Sequence, residues 1–168
     1  MRTTFINGDQ KLVETGRKHL NSRAENFEFF ARFNGCETVD DLRERLRDGD
    51  FSFCEMRNAI RTFNDSGANF CEYGLSFDFM EADKNNHNGY YCYQISWGGP
   101  SEEIRFYKDG LIEFVYLDWF VGVGFNITEA NWAIWLRNFL IETGTIDWDS
   151  LEPEQIEYHG DEDGDQEA

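Results

Sequence analysis

The sequence predicts an α+β protein, and three observations predict it. Apolar residues recur at helical spacing through the first 70 positions, the period switches to alternation after Gly74, and a Trp-rich helical stripe returns at Trp132. A chain of 168 residues is long enough for one core and too short for two full-sized ones. The expected organisation is a helical portion at 1–70, an antiparallel sheet of about four strands with a closing helix at 71–144 in the same compact domain, and an acidic segment at 145–168. Sixteen Phe, seven Tyr and five Trp supply the bulky groups that disordered acidic chains lack.

Taken in order, Leu12, Val13, Gly16 and Leu20, then Phe27, Phe30, Ala31 and Phe33, predict one or two N-terminal helices. Thr38 caps a helix carrying Val39, Leu42 and Leu46, with Asp41 three residues past the cap and Gly49 placed to stop it. Ser52 with Glu55 forms a capping box ahead of Phe53, Met56, Ala59, Ile60 and Phe63, which carries a further helix to about Asn64. Leu75, Phe77 and Phe79 alternate with polar neighbours as a first strand, and Tyr91, Tyr93, Ile95 and Trp97 do so as a second.

A third strand at 104–108 meets a fourth at 111–120 across Asp109-Gly110, the dipeptide of two-residue type I′ hairpins. That turn pairs Ile104 with Val115 and Tyr107 with Ile112. It sets Ile104, Phe106, Leu111, Val115, Leu117 and Trp119 on one face. Tyr107, Ile112, Phe114 and Tyr116 fall on the other, among Glu103, Arg105 and Asp118. A hairpin apolar on both sides is covered twice, by helices or by a second copy, so a homodimer is compatible with it. Thr128 caps a last helix with Trp132, Trp135, Leu136, Phe139 and Leu140 on one stripe, ending near Thr143-Gly144.

Charge is the dominant compositional signal. The formal net charge is −18, yet residues 1–70 hold 11 basic and 12 acidic residues against 4 and 21 in residues 71–168. From Glu142 onward there are 11 carboxylates and no Lys or Arg. Such a balance disfavours direct binding to nucleic acid or anionic membrane and favours a basic partner. High-salt adaptation would spread acid over every face, which the balanced first 70 residues do not show. No signal peptide or membrane-length apolar run is present, and the four cysteines, Cys36, Cys54, Cys71 and Cys92, show no close pairing, so a cytoplasmic protein with reduced thiols is expected.

Catalytic and metal motifs are weak. Asp161, Asp163 and Asp165 lack the glycine and terminal Glu of a calcium loop, and Asp83, Asn85 and His87 read as a polar hairpin loop. Cys92 with His87 has no activated-nucleophile context, Trp97-Gly98-Gly99-Pro100 lacks the Lys-Ser/Thr of a phosphate loop, and adjacent Glu102 and Glu103 point to opposite faces of a strand. A binding protein that needs no cofactor or metal is expected, rather than an enzyme. One rival reading comes from residues 38–64, where two helices joined by a short turn, the second bearing Arg57, Asn58 and Arg61, suit a helix-turn-helix DNA-binding regulator. The net charge opposes it, and Arg43, Arg45 and Arg47 interleave with acids as surface pairs.

The segment QISWGGPSEEIRFYKDG followed by LIEFVYLDWF, residues 94–120, resembles segments of small proteins of phages and conjugative elements. In size, acidity and lack of a catalytic motif the chain is similar to anti-restriction and anti-CRISPR proteins, some of which imitate the phosphate array of DNA. The resemblance implies an inhibitor acting inside a bacterial host cell and assigns no residue. Physics adds the requirement: carboxylates held apart on a stiff aromatic frame can occupy a cleft built for a polyanion. On that reading the partner-facing residues are Asp78, Glu81, Asp83, Glu102, Glu103, Glu113 and Asp118 on the sheet, with Asp147 and Asp149 beyond it. They would block a CRISPR effector or restriction enzyme stoichiometrically.

Overall fold

The computed structural model describes residues 3–6 (as backbone), 10–67 and 70–159. Alternating side chains build a six-stranded antiparallel sheet from β1 (Thr3–Ile6), β2 (Ser76–Met80), β3 (Tyr90–Ser96), β4 (Ser101–Tyr107), β5 (Ile112–Asp118) and β6 (Val121–Asn126). Five of them form a meander, and β1 adds to its end beside β6, giving the order β1-β6-β5-β4-β3-β2. The helices are α1 (Gln10–Phe33), α2 (Val39–Asp48), α3 (Phe53–Ser66), the short α4 (Phe70–Tyr73), α5 (Asn131–Glu142) and the single-turn α6 (Pro153–Ile156), with a 3-10 turn at Trp148–Ser150.

One face of the sheet is covered. Phe77 and Phe79, Tyr91, Tyr93 and Ile95, Ile104 and Phe106, Ile112, Phe114 and Tyr116, and Val123 and Phe125 line up across the strands against α1 and α5. Phe27 of α1 is the hub: it stacks on Trp132 at 5.2 Å and meets Phe30, Tyr73 and Tyr93 edge-on. Gly16 lets α1 lie close to β6, because a Cβ there would fall 2.7 Å from Val123 Cγ1 and 2.9 Å from Phe125 Cε2. Helices α2 and α3 start at the expected capping boxes, Thr38 with Asp41 and Ser52 with Glu55. Both caps hold their carboxylates below the usual range. The main cause at Asp41 is the Thr38 hydroxyl and at Glu55 the Ser52 hydroxyl.

Three local expectations are corrected. The strand expected at 111–120 stops at Asp118, where Trp119-Phe120 turn the chain, and β6 beyond that turn and β1 were not anticipated. The β4–β5 turn has three residues rather than two: Tyr107 N–H donates to Leu111 O (3.0 Å), Gly110 N–H to Tyr107 O (3.1 Å) and Leu111 N–H to Asp109 Oδ1 (2.9 Å). Gly110 takes φ +93 while Asp109 does not take a positive φ, so the turn carries a left-handed glycine at its end in place of two left-handed residues. The register slips by one residue and pairs Ile104 with Phe114 and Phe106 with Ile112. Thr128 does not cap α5; its hydroxyl accepts from Ile112 N–H (3.0 Å), and the helix starts after Ala130.

Candidate functional site

The nine candidate carboxylates fall into three groups in the fold. Glu102 and Glu103 do not join an outward patch, being 1% and 7% exposed. Glu102 faces α1, where His19 and Arg23, one helical turn apart, converge on it: His19 Nδ1 bonds Oε1, and Arg23 Nε and Nη2 each reach Oε2 at 2.6 Å. Arg23 also donates to the Tyr73 hydroxyl at 2.6 Å. Burial alone would ease its proton off, but the Tyr73 bond and the Glu102 charge outweigh this and hold it above the ordinary value. Glu103, on the opposite face, is clasped by Arg105 at 2.5 Å and accepts from the Cys92 thiol at 3.6 Å. Both carboxylates are neutralised within the fold, which a carboxylate out of water requires.

Four other candidates come together at the β2 edge. Glu81 and Asp83 lie just past β2, and Asp147 and Asp149 flank Trp148, whose ring packs edge-on to Phe79 and Tyr91. The chain then runs along the 81–89 loop: Ala82 N–H donates to Gln155 O (2.7 Å), Gly89 N–H to Ile156 O (2.6 Å) and Tyr158 N–H to His87 O (3.0 Å). Gln155 Nε2 donates to Glu81 Oε1 at 2.7 Å. This brings in Glu152, Glu154 and Glu157, all exposed, which sequence reasoning left among the tail acids. The missed signal is the interleaving of Leu151, Ile156 and Tyr158 with them, a pattern that binds a segment down instead of releasing it. Asp83 organises the loop by accepting from Asn86 (2.7 Å) and Asn85 (2.6 Å) N–H, which holds it below the usual carboxylate range. That accounts for the Asp83, Asn85, His87 run.

The remaining three are dispersed. Glu113 sits on the uncovered sheet face in a depression of about 640 Å³ shared with His87 and Glu157, Asp78 is exposed on the same face of β2, and Asp118 lies at the opposite end of the sheet beside the 119–120 turn. Residues 160–168, including Asp161, Asp163 and Asp165, lie outside the described residues.

Sequence reasoning also missed the uncovered face as a site. Asp78, Cys92, Arg105 and Glu113 form one row across it, and Ser76, Gln94, Glu103 and Val115 the next. Of these, Ser76, Asp78, Cys92, Gln94, Glu103 and Arg105 line a groove of about 850 Å³ that also takes in Trp97 and Trp119, 81% and 83% exposed. Within it, Arg105 lies 4.7 Å over the Tyr90 ring. Cys92 has Glu103, not His87, as its neighbour, and burial with that negative charge pushes its thiol up to about 12, so it stays protonated and makes a poor nucleophile. Among the described residues no three His, Cys, Asp or Glu gather as metal ligands, and no helix is long and apolar enough to cross a membrane. In the helical portion Arg57, Asn58 and Arg61 are exposed on α3, Arg43 pairs with Asp40 (3.0 Å) and Arg45 donates to Asn34 O (2.9 Å). No family model, curated protein or solved structure matches the chain.

Proposed function

We propose that the protein is a stoichiometric binding protein that occupies the basic, nucleic-acid-gripping cleft of a CRISPR effector or restriction enzyme, with its acidic edge standing in for the DNA backbone. The observation that carries the reading is the pinned C-terminal segment. Three backbone hydrogen bonds fix residues 155–158 to the 81–89 loop, so the carboxylates around them are displayed on ordered chain. Residues 142–159 hold six carboxylates and no Lys or Arg, and Lys84 is the one such cation in the 81–89 loop. An ordered anion row loses less entropy on docking than a free tail and releases the cleft's counterions as DNA does. The face differs from the expected one: Glu81, Asp83, Asp147 and Asp149 stay in it, Glu152, Glu154 and Glu157 enter, and Glu102 and Glu103 leave.

The test is release of a labelled duplex from purified restriction enzymes and CRISPR effectors as the protein is titrated. Release saturating near one equivalent, weakening steeply with salt because exposed charges are screened beyond about 8 Å at physiological ionic strength, and lost in a Glu152→Lys, Glu154→Lys, Glu157→Lys variant, is the expected result. A protein that releases no duplex from any complex, or that shifts the free duplex itself, overturns the reading.

A further inference from the structure

The groove on the uncovered sheet face takes no part in the acidic edge, and its build is specific. Its volume of about 850 Å³ falls within the size of a small-ligand or side-chain site. Met80 and Leu117 supply apolar wall, Asp78 an exposed carboxylate, and Trp97 and Trp119 two indoles at the mouth. The chain buries most of its rings, so these two, at the same end of the sheet, are exceptions. Trp119 is held there at a cost. Its φ of +55 makes it the one non-glycine residue with a left-handed backbone among the described residues, and its indole Nε1 lies 3.1 Å from where a Gly99 Cβ would stand.

The charge of the face selects the occupant. Among the described residues that line the groove, Asp78 and Glu103 are the acids and Arg105 is the one cation, and Glu103 already neutralises it. The face also shows what it accepts, since the Arg105 guanidinium lies over the Tyr90 ring at 4.7 Å beside a carboxylate. A neutral ligand would leave Asp78 without a counter-charge, and an anion would be repelled. Trp is the strongest of the aromatic partners for a cation, and flanking rings with a carboxylate form a recurrent cation site.

We propose that this groove binds the guanidinium or ammonium group of an Arg or Lys side chain projecting from the partner, held between Trp97 and Trp119 over Asp78. The proposal rests on the preceding one in taking the partner's surface to be basic, and adds a second, specific contact to its diffuse electrostatic one. Such a contact, with the two indoles covered by the partner on docking, sets partner choice and slows dissociation, whereas the acidic edge speeds encounter.

The experiment is a titration of the full chain, ¹⁵N-labelled at its indoles, with the peptide acetyl-Gly-Arg-Gly-amide and its neutral citrulline analogue. Assignment by Trp97→Phe and Trp119→Phe identifies the two signals. The expected result is saturable shifts at Trp97 and Trp119, none at Trp132, Trp135 or Trp148, and citrulline binding weaker by about tenfold or more. Equal binding of the citrulline peptide, shifts confined to other residues, or sedimentation showing a dimer in which Trp97 and Trp119 are covered by a second copy, overturns it. The two proposals fail separately. If only the groove is wrong, a Trp97→Ala, Trp119→Ala variant, folded by circular dichroism, still releases duplex at wild-type affinity. If only the acidic edge is wrong, the wild type releases no duplex and the Glu152→Lys, Glu154→Lys, Glu157→Lys variant still binds the arginine peptide.

Discussion

Replacing either side of the Arg23–Glu102 pair destabilises the protein, but by unequal amounts. Glu102 is 1% exposed, whereas the Arg23 and His19 side chains are 28% and 38% exposed. Arg23→Met strands a buried carboxylate with His19 alone. Breaking a buried pair from one side costs about 3–5 kcal/mol, and the partial exposure of Arg23 argues for the low end, about 3 kcal/mol. Glu102→Met leaves the Arg23 and His19 side chains, both partly exposed, to turn into water while the new side chain fills the vacated volume, so about 1 kcal/mol is expected. For a chain of this length each kcal/mol moves Tm by roughly 2–4 °C, giving losses of about 6–12 °C and 2–4 °C. Thermal and urea unfolding followed by far-ultraviolet circular dichroism reads both. Tyr73→Phe serves as control, because Arg23 also donates to the Tyr73 hydroxyl. A Glu102→Met loss equal to or larger than that of Arg23→Met, or an Arg23→Met loss under 1 kcal/mol, refutes the placement of Glu102 as a carboxylate whose burial depends on Arg23.

Gly16→Ala forces a methyl to within 3 Å of Val123 and Phe125 and is expected to cost about 1–3 kcal/mol despite the higher helix propensity of Ala, a cost read by urea unfolding. Asp41→Asn and Glu55→Gln flatten the acid limb of the stability–pH curve: both groups have folded values below their unfolded ones, so the stability they add is complete above pH about 4–5 and is lost as pH falls through the folded values. The check is urea unfolding from pH 7 down to 3. Thiol labelling at pH 8 with peptide mapping should modify exposed Cys54 about a thousandfold faster than Cys92, whose thiol is pushed up to about 12. Trp119→Gly relieves the left-handed backbone and is expected to leave Tm unchanged or raised while weakening arginine-peptide binding.

Much of the fold is local and therefore legible in the chain. Thr38 with Asp41 and Ser52 with Glu55 set two helix starts through atoms three residues apart, and Phe77, Tyr91 and Tyr93 announce strands by alternation alone. Nothing in the 108–110 sequence distinguishes a two-residue from a three-residue turn, however, and that one-residue difference turns over every side chain of β4 relative to β5. The site follows from the difference. Glu102 looks like its neighbours in composition, and only the passage of α1 across that face of the sheet gives it His19 and Arg23, 83 and 79 residues away.

The α+β class, the caps of α2 and α3, the aromatic strands and an excess of acid that falls almost wholly after residue 70 are all local properties of the chain. Which acids face water depends on how the elements pack. Burying a carboxylate demands a partner, and partners are recruited across the fold, as Arg23 is for Glu102, while Glu152, Glu154 and Glu157 need none and remain outside along the edge to which residues 155–158 are tied. The exposure of Trp97 and Trp119 was likewise decided in three dimensions, because an indole is buried or displayed according to what other elements cover it, and no helix among the described residues lines the groove they flank.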